Sequence, residues 1–376
     1  MTGIGYSIPD DLTTEILLRL LSKSLFRFRC VSKTWCSLIR RRQFVEAYMS
    51  MSLSRPPRLL LSLNPGGDNR LMFFSSSSSD QSFNLSTMVA TKNNTLTMSK
   101  VGSKDFIVQS NSVRGFVCCS LSRRYVACNP NTRQVIPIPE DYNPLGYTIP
   151  LYIYLGYDHI NDQYKVLRVK MRTCSTLPIL HSVWTLGGSS SSSSWRRIKS
   201  SILYYCCEYN GVCIDGVVYY EVSLEPYGNY MAVSSFDVAS EQIRLIKTPE
   251  KMVAAHLTNY LGKLAAYDLS DDDDRLILWV LDDVKNQVWS KRACIFSSIT
   301  HSLLLDIGMY FAGITAAGEV VYVPWTSYSC DPLELFFYHV ESKVERRVRI
   351  EGLAAGDEVT CFASLSCSFV DNIIYL

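Results

Sequence analysis

Residues 211–222 read Gly-Val-Cys-Ile-Asp-Gly-Val-Val-Tyr-Tyr-Glu-Val. Two runs of β-branched and aromatic residues flank Asp215-Gly216, a dipeptide that accepts positive φ at both central positions of a type I′ turn. The stretch predicts a tight β-hairpin. Further strand pairs flank Asn129-Pro-Asn-Thr132, Gly262-Lys263, Ala317-Gly318 and Glu341-Ser-Lys343. Few windows past residue 100 carry a 3.6-residue apolar period, so the body of the chain reads as all-β.

A weak internal repeat organises that body. SSFDVASEQIRLIK (234–247), LWVLDDVKNQVWSK (278–291) and FFYHVESKVERRVR (336–349) each place an apolar strand, a polar turn and a second strand in the same order. YVACNPNTRQVIPI (125–138), YLGYDHINDQYKVL (154–167) and SVWTLGGSSSSSSWRRIK (182–199) repeat the unit, the last with a stretched serine turn. A second hairpin precedes three of them, at 211–222, 257–267 and 310–323. Four strands recurring every 45–60 residues or so are in the range of propeller blades. Six hairpin units imply about six blades or fewer. The strands within 359–375 are expected to complete the first blade near 105–120. The irregular spacing also fits a β-sandwich.

The chain has 376 residues, of which 47% are hydrophobic and 19% charged, as a folded protein requires. Thirty-seven Lys and Arg against 35 Asp and Glu leave a net charge of +2, which calls for no nucleic acid partner. No apolar run approaches the roughly 18 residues of a membrane span. The start, MTGIGYSIPDD, lacks the basic and apolar regions of an export signal, so the expected setting is the cytoplasm or nucleus rather than secretion. In that setting the 13 cysteines, none in a C-x-x-C pair, are expected to be reduced and buried, and no structural metal is expected.

Residues 1–50 differ from the rest. Leu12, Ile16, Leu17, Leu20 and Leu21 recur at helical spacing, and Pro9 with Asp10 and Asp11 suits a helix start. Ser22 can cap a second helix carrying Leu25, Phe28 and Val31, and Ser32 a third carrying Trp35, Leu38 and Ile39. The segment holds eight basic and four acidic side chains, a surplus of +4 that leaves −2 for the remainder. Three short helices bury too little to stand alone, so their surplus apolar positions need a cover, either the rest of the chain or another protein. Residues 51–104 read as a linker and first strands, with strands at Leu59–Leu63 and Leu71–Phe74, and 105–376 as the β-domain.

The string IPDDLTTEILLRLLSKSLFRFRCVSKTWCSLI, residues 8–39, resembles an F-box of the plant type, with Lys23-Ser24-Leu25, Arg27-Phe28-Arg29 and Val31-Ser-Lys-Thr-Trp35. Two positions depart from the pattern. Leu21 stands where proline is usual, which would lengthen the first helix or blur its end, and Ile8 replaces a leucine. The body resembles the F-box-associated domain (type 3-like) through Leu155-Gly-Tyr-Asp158, Gln163-Tyr-Lys-Val-Leu167, Asn259-Tyr-Leu-Gly-Lys-Leu264 and Trp279-Val-Leu-Asp-Asp-Val with Trp289-Ser-Lys291. These resemblances imply an α+β multidomain chain: a small three-helix F-box followed by a large, all-β, kelch-like propeller.

They also imply a function. The helices would dock a Skp-type adaptor, and through it a cullin and a RING protein, in an SCF ubiquitin ligase, while the β-domain captures a target protein of unknown identity. By motif position, Ile8, Pro9, Leu12, Ile16, Leu17 and Leu20 would supply adaptor contacts, and Leu25, Val31, Trp35 and Leu38 would divide between that interface and the module's own core, with core packing favoured for Trp35. The resemblance assigns no substrate-binding residue, no catalytic residue and no cofactor. A rival reading is a propeller that binds a small ligand or sugar, with or without enzymatic action on it, and whose F-box only controls its own turnover.

Other signals carry little. Ser75–Ser79 and Ser189–Ser194 read as loops, and Asp271–Asp274 lacks the glycine and glutamate of a calcium loop. The glycosylation-like strings at Asn84 and Asn93 have no meaning without export. No nucleophile elbow, phosphate loop or H-E-x-x-H appears. Tyr142, Tyr147, Tyr227 and Tyr328 fall in expected turns, where aromatic rings make binding anchors.

Overall fold

The computed structural model describes residues 8–65, 70–76, 87–97, 106–108, 111–121, 124–139, 151–170, 179–187, 194–200, 202, 204, 206–224, 231–249, 252, 256–270, 275–297, 308–324, 333–352 and 359–376. Four helices come first: α1 (Asp10–Leu18), α2 (Ser22–Val31), α3 (Lys33–Arg40) and α4 (Arg42–Ser54). The fourth corrects the expected three. Phe44, Tyr48 and Ser52, with Met49 beside them, form its buried stripe. It escaped the sequence reading because its boundary with α3 is one extended residue, Arg41, inside an arginine run with no Gly or Pro to mark it.

The strands make a ring. β1 (Arg58–Pro65), β2 (Arg70–Ser76) and β3 (Thr87–Thr97) follow α4 directly, so most of 58–97 is sheet rather than linker. β4 (Phe106–Val108), β5 (Val117–Leu121), β6 (Arg124–Asn129) and β7 (Gln134–Pro137) form an antiparallel sheet, as do β8 (Leu151–Asp158), β9 (Gln163–Lys170), β10 (Leu180–Thr185) and β11 (Arg196–Ile198). The pattern recurs in β12 (Cys206–Ile214), β13 (Val217–Ser223), β14 (Met231–Asp237) and β15 (Gln242–Lys247), and in β16 (His256–Tyr260), β17 (Lys263–Ser270), β18 (Arg275–Asp283) and β19 (Val288–Ile295). β20 (Met309–Ile314), β21 (Glu319–Pro324), β22 (Glu334–His339) and β23 (Glu345–Glu351) make the next, and β24 (Val359–Phe369) joins β1, β2 and β3 as the sixth; the outer strands β23 and β3 pair in parallel at Arg349–Glu351 and Thr87–Val89, linking these two blades into one eight-stranded sheet. First strands of successive sheets lie side by side from β8 through β12, β16, β20 and β24 to β4, and β5 meets β8 to complete the circuit.

Six apolar clusters fill the six gaps between successive sheets. Leu61, Met72, Val321 and Phe337 join the last two, and Leu60, Phe73, Val117 and Cys128 join the last to the first. Each sheet is therefore buried on both faces, which is why β21 is buried along its whole length and β9 through most of its own, without alternation. Radial closure leaves only short strand edges, the arrangement of a β-propeller rather than a sandwich.

Two expectations about the ring change. The last strand does not complete the blade at 105–120: β24 pairs with β1, from Arg58↔Phe369 to Pro65↔Val359, and only flanks β4. Six hairpins do not map one to a blade either. The units at 154–167 and 182–199 share one sheet, while the sixth blade comes from strands outside the repeat. At the 211–222 hairpin, Asp215 and Gly216 have φ of 45° and 77°, as type I′ demands, and a Cβ on Gly216 would lie 2.7 Å from His159 Nδ1.

The repeat has a local cause. Asn129, Asp158, Asp237, Asp283 and His339 each end a strand and accept backbone N–H groups two or three residues on. Four residues after each stands one at positive φ: Arg133, Asp162, Glu241, Gln287 and Lys343. A polar acceptor followed by a left-handed residue is the common turn beneath the differing sequences.

Eight cysteines are free thiols: Cys118, Cys119, Cys128, Cys294 and Cys367 are buried, Cys30 is exposed, and Cys36 and Cys213 are half-buried. Between the second and third sheets, His181 Nε2 lies 2.5 Å from the Tyr204 hydroxyl, itself 3.2 Å from that of Tyr220. Burial depresses the His181 pKa from its usual value near 6.5 to about 4. The unfolded chain therefore takes up this proton first, so the contribution to stability is complete above about pH 6.5 and is lost as pH falls toward 4. Urea unfolding is expected to show about 2 kcal/mol less stability at pH 5 than at pH 7.5 from this group, and His181→Gln should remove that difference. An unchanged pH dependence in the variant would refute the assignment.

Candidate docking face of the helical module

α1 starts at Pro9, whose carbonyl accepts the Thr13 N–H at 2.9 Å, with Asp10 and Asp11 in the first turn where the helix dipole favours negative charge. Leu17 turns inward, 2% exposed, onto Leu25, Leu38, Ile39, Phe44, Tyr48 and Met49. The outward face carries Ile8, Leu12 and Ile16 at four-residue steps, 53%, 49% and 53% exposed, beside exposed Pro9. Spacing of four stacks Leu12 and Ile16 on one face of α1, with Ile8 just before the helix, and among the described residues all three stay about half exposed.

The remaining candidates separate by burial. Leu25 and Leu38 are core, and so is Leu17, which corrects its expected place on the adaptor surface: α4 supplies the cover that three helices lacked. Leu20 is half-buried against the same core, Trp35 is half-buried edge-to-face on Phe28 at 5.1 Å, and Val31 is exposed. Of the ten positions, Ile8, Pro9, Leu12, Ile16 and Val31 are open.

The end of α1 is sharp despite Leu21. The helix stops at Leu18, and Leu21 adopts φ −69°, the value a proline ring would impose. Two side chains from α4 and its end bond the last carbonyls: the Tyr48 hydroxyl donates to Leu20 O at 3.2 Å, and Arg55 to Leu18 O at 3.3 Å. Burial holds the Tyr48 phenol well above its usual pKa, so it remains a donor.

The face is fixed to the propeller by the segment after β24. Asp371 accepts Ser22 Oγ from α2 at 3.1 Å and Asn131 Nδ2 from the β6–β7 turn at 2.9 Å, and forms an ion pair with Arg58 of β1. Its carbonyl accepts Ser52 Oγ from α4 at 2.6 Å. Two residues on, Ile373 enters the core of the helical module, and Tyr375 meets Phe26 edge-on at 6.3 Å. Sequence reasoning took this segment for strand; the signal was a polar pair, Asp371-Asn372, set before two isoleucines.

A family model described as the F-box domain matches residues 6–46, and one described as the F-box associated beta propeller domain matches 58–373. The chain belongs to the F-box proteins that carry this propeller. F-box protein At1g30790 of Arabidopsis thaliana is 37% identical over 369 residues, covering 92% of this chain and 90% of that protein. F-box protein At1g52495 of the same plant is 35% identical over 363 residues (92% and 80%), and F-box protein At5g65850 is 33% identical over 368 (94% and 87%). An F-box implies binding of a Skp-type adaptor, and its pairing with this propeller implies a substrate receptor.

Asp371→Ala leaves the Arg58 guanidinium buried without its carboxylate. It should lower unfolding stability by roughly 3–5 kcal/mol, read as a shifted urea midpoint, with Asp371→Asn costing less because it keeps hydrogen bonding. Loss below 1 kcal/mol in the alanine variant would show that the junction does not depend on this carboxylate.

Proposed function

We propose that the chain is the substrate-recognition subunit of an SCF ubiquitin ligase. Its α1 row docks a Skp-type adaptor, through which cullin and RING proteins are reached, in the cytoplasm or nucleus. The observation that carries this reading is Leu12 and Ile16, four residues apart on α1, with Ile8 just before the helix: all three apolar side chains are about half exposed, while Leu17, Leu25 and Leu38 of the same module are packed away. The +4 charge of residues 1–50 favours an acidic partner surface. The chain makes and breaks no bond; it accelerates transfer by holding target lysines near the conjugating enzyme.

Target capture falls to the propeller edge away from the helices. The module stands over the ends of β4, β6, β8 and β24, through Arg114, Asn131, Asp162 and Asp371. In sequence, Tyr142 and Tyr147 follow β7, Tyr227 follows β13 and Tyr328 follows β21; these four residues lie outside the described ones.

Co-purification with a panel of adaptors tests the docking half. Leu12→Asp and Ile16→Asp, both at exposed positions, should fold normally and lose capture by tenfold or more, as truncation of a central anchor costs on the order of 2 kcal/mol. Equal capture by wild type and both variants would end the proposal. For the target half, replacing Tyr142, Tyr147, Tyr227 and Tyr328 with alanine should leave adaptor capture intact and remove the targets seen by proximity labelling under proteasome inhibition. A target list unchanged by the quadruple variant would place recognition elsewhere.

A further inference from the structure

Between the helices and the propeller lies a half-open cavity of about 960 Å³. Phe26, Ile39, Val45, Met49 and Ile373 give it an apolar wall. Its charged lining is one-sided: Arg29, Arg40 and Arg42 come from the helices and Arg114 from the β4–β5 connection, against Glu46 and Asp162. Both carboxylates are already engaged, Glu46 with Arg42 at 2.6 Å and Asp162 by the Tyr157 hydroxyl. Arg29 sits over the rings of Phe26 and Tyr375, and Arg114 over that of Tyr157 at 4.0 Å. The Arg114 Nε–H is buried with no hydrogen-bond acceptor. Among the described residues no carboxylate lies within 4 Å of Arg29, Arg40 or Arg114.

We propose that this cavity binds an amphipathic organic anion, a small molecule with an apolar body against Phe26, Met49 and Ile373 and an anionic head held by Arg29 and Arg114. The volume lies within the range of small-molecule sites, and guanidinium groups stacked on aromatic rings keep their N–H edges free for an oxyanion. A bare inorganic anion would leave the apolar wall wet, and a neutral ligand would leave the arginines without a counter-charge. Because Arg29 belongs to the module and Arg114 to the propeller, occupancy ties the two together and raises the melting temperature of the whole chain. The site is independent of the adaptor face.

Titration of the full chain with the fluorescent anion anilinonaphthalene sulfonate tests this. We expect one saturable site, displaced by octyl phosphate and resisted roughly tenfold or more by octyl glucoside and by inorganic phosphate. Arg29→Gln and Arg114→Gln should each weaken dye and octyl phosphate binding about tenfold, and abolish the melting shift given by octyl phosphate. Leu12→Asp should change neither. Absence of saturable binding, equal displacement by octyl glucoside, or sensitivity to Leu12→Asp instead of the arginine variants would each overturn the assignment. Should Arg114→Gln fail to fold by circular dichroism, Arg29→Gln, on the helical module, decides alone.

Discussion

Closure of the ring rests chiefly on one antiparallel pair, β1 with β24, reinforced by a short parallel pairing of β3 with β23. Every other blade is built from neighbours in sequence and could form locally; this one joins residues 58–65 to 359–369 and so requires the whole circuit to be in place. The same pair delivers Arg58 and Asp371 to one point, and that ion pair with its hydrogen bonds to Ser22, Ser52 and Asn131 seats the helices. Propeller closure and orientation of the docking face are thus a single event. A fault in either would appear in both.

Burial divides the helical module into two unlike surfaces. One is completed internally by α4 and Ile373, so that Leu17, Leu25 and Leu38 act as packing and set the direction in which α1 faces. The other, with Ile8, Leu12 and Ile16, stays about half exposed among the described residues. Charge reinforces the division: the same segment carries a surplus of positive side chains while the propeller carries a slight negative balance. Attraction to an acidic surface would therefore be strongest at the helical end of the molecule.

Much of the fold was legible because turns betray themselves locally. Asp215-Gly216 announced its hairpin, and the polar acceptor ahead of a left-handed residue recurred at five hairpins, even where side chains between them differed. Helices α1 to α3 were legible from periodicity, but the expected serine caps are not made: Ser22 lies inside α2, behind Leu21, and Ser32 precedes α3 without a side-chain cap bond. What escaped depends on contacts distant in sequence. Nothing within 359–376 says that it pairs with residue 58 rather than residue 106, since either partner would satisfy the same alternation. Nor could spacing separate Leu17 from Ile16: both suit a helix face, and only the position of α4 decides which one faces inward. Arg114 and Arg29 are ordinary surface residues in sequence, and their shared cavity exists only in three dimensions.

The link from Ser22 to Asp371 spans 349 residues, and this has a consequence for biosynthesis. The helices are translated before the propeller, yet Ile373, which completes their core, is translated after it. A nascent chain stalled or cleaved before that point would display an unfinished module with loosened packing, poorly suited to recruitment. Only a chain translated through Ile373 would carry a well-formed plug, so quality control comes from the order of synthesis itself.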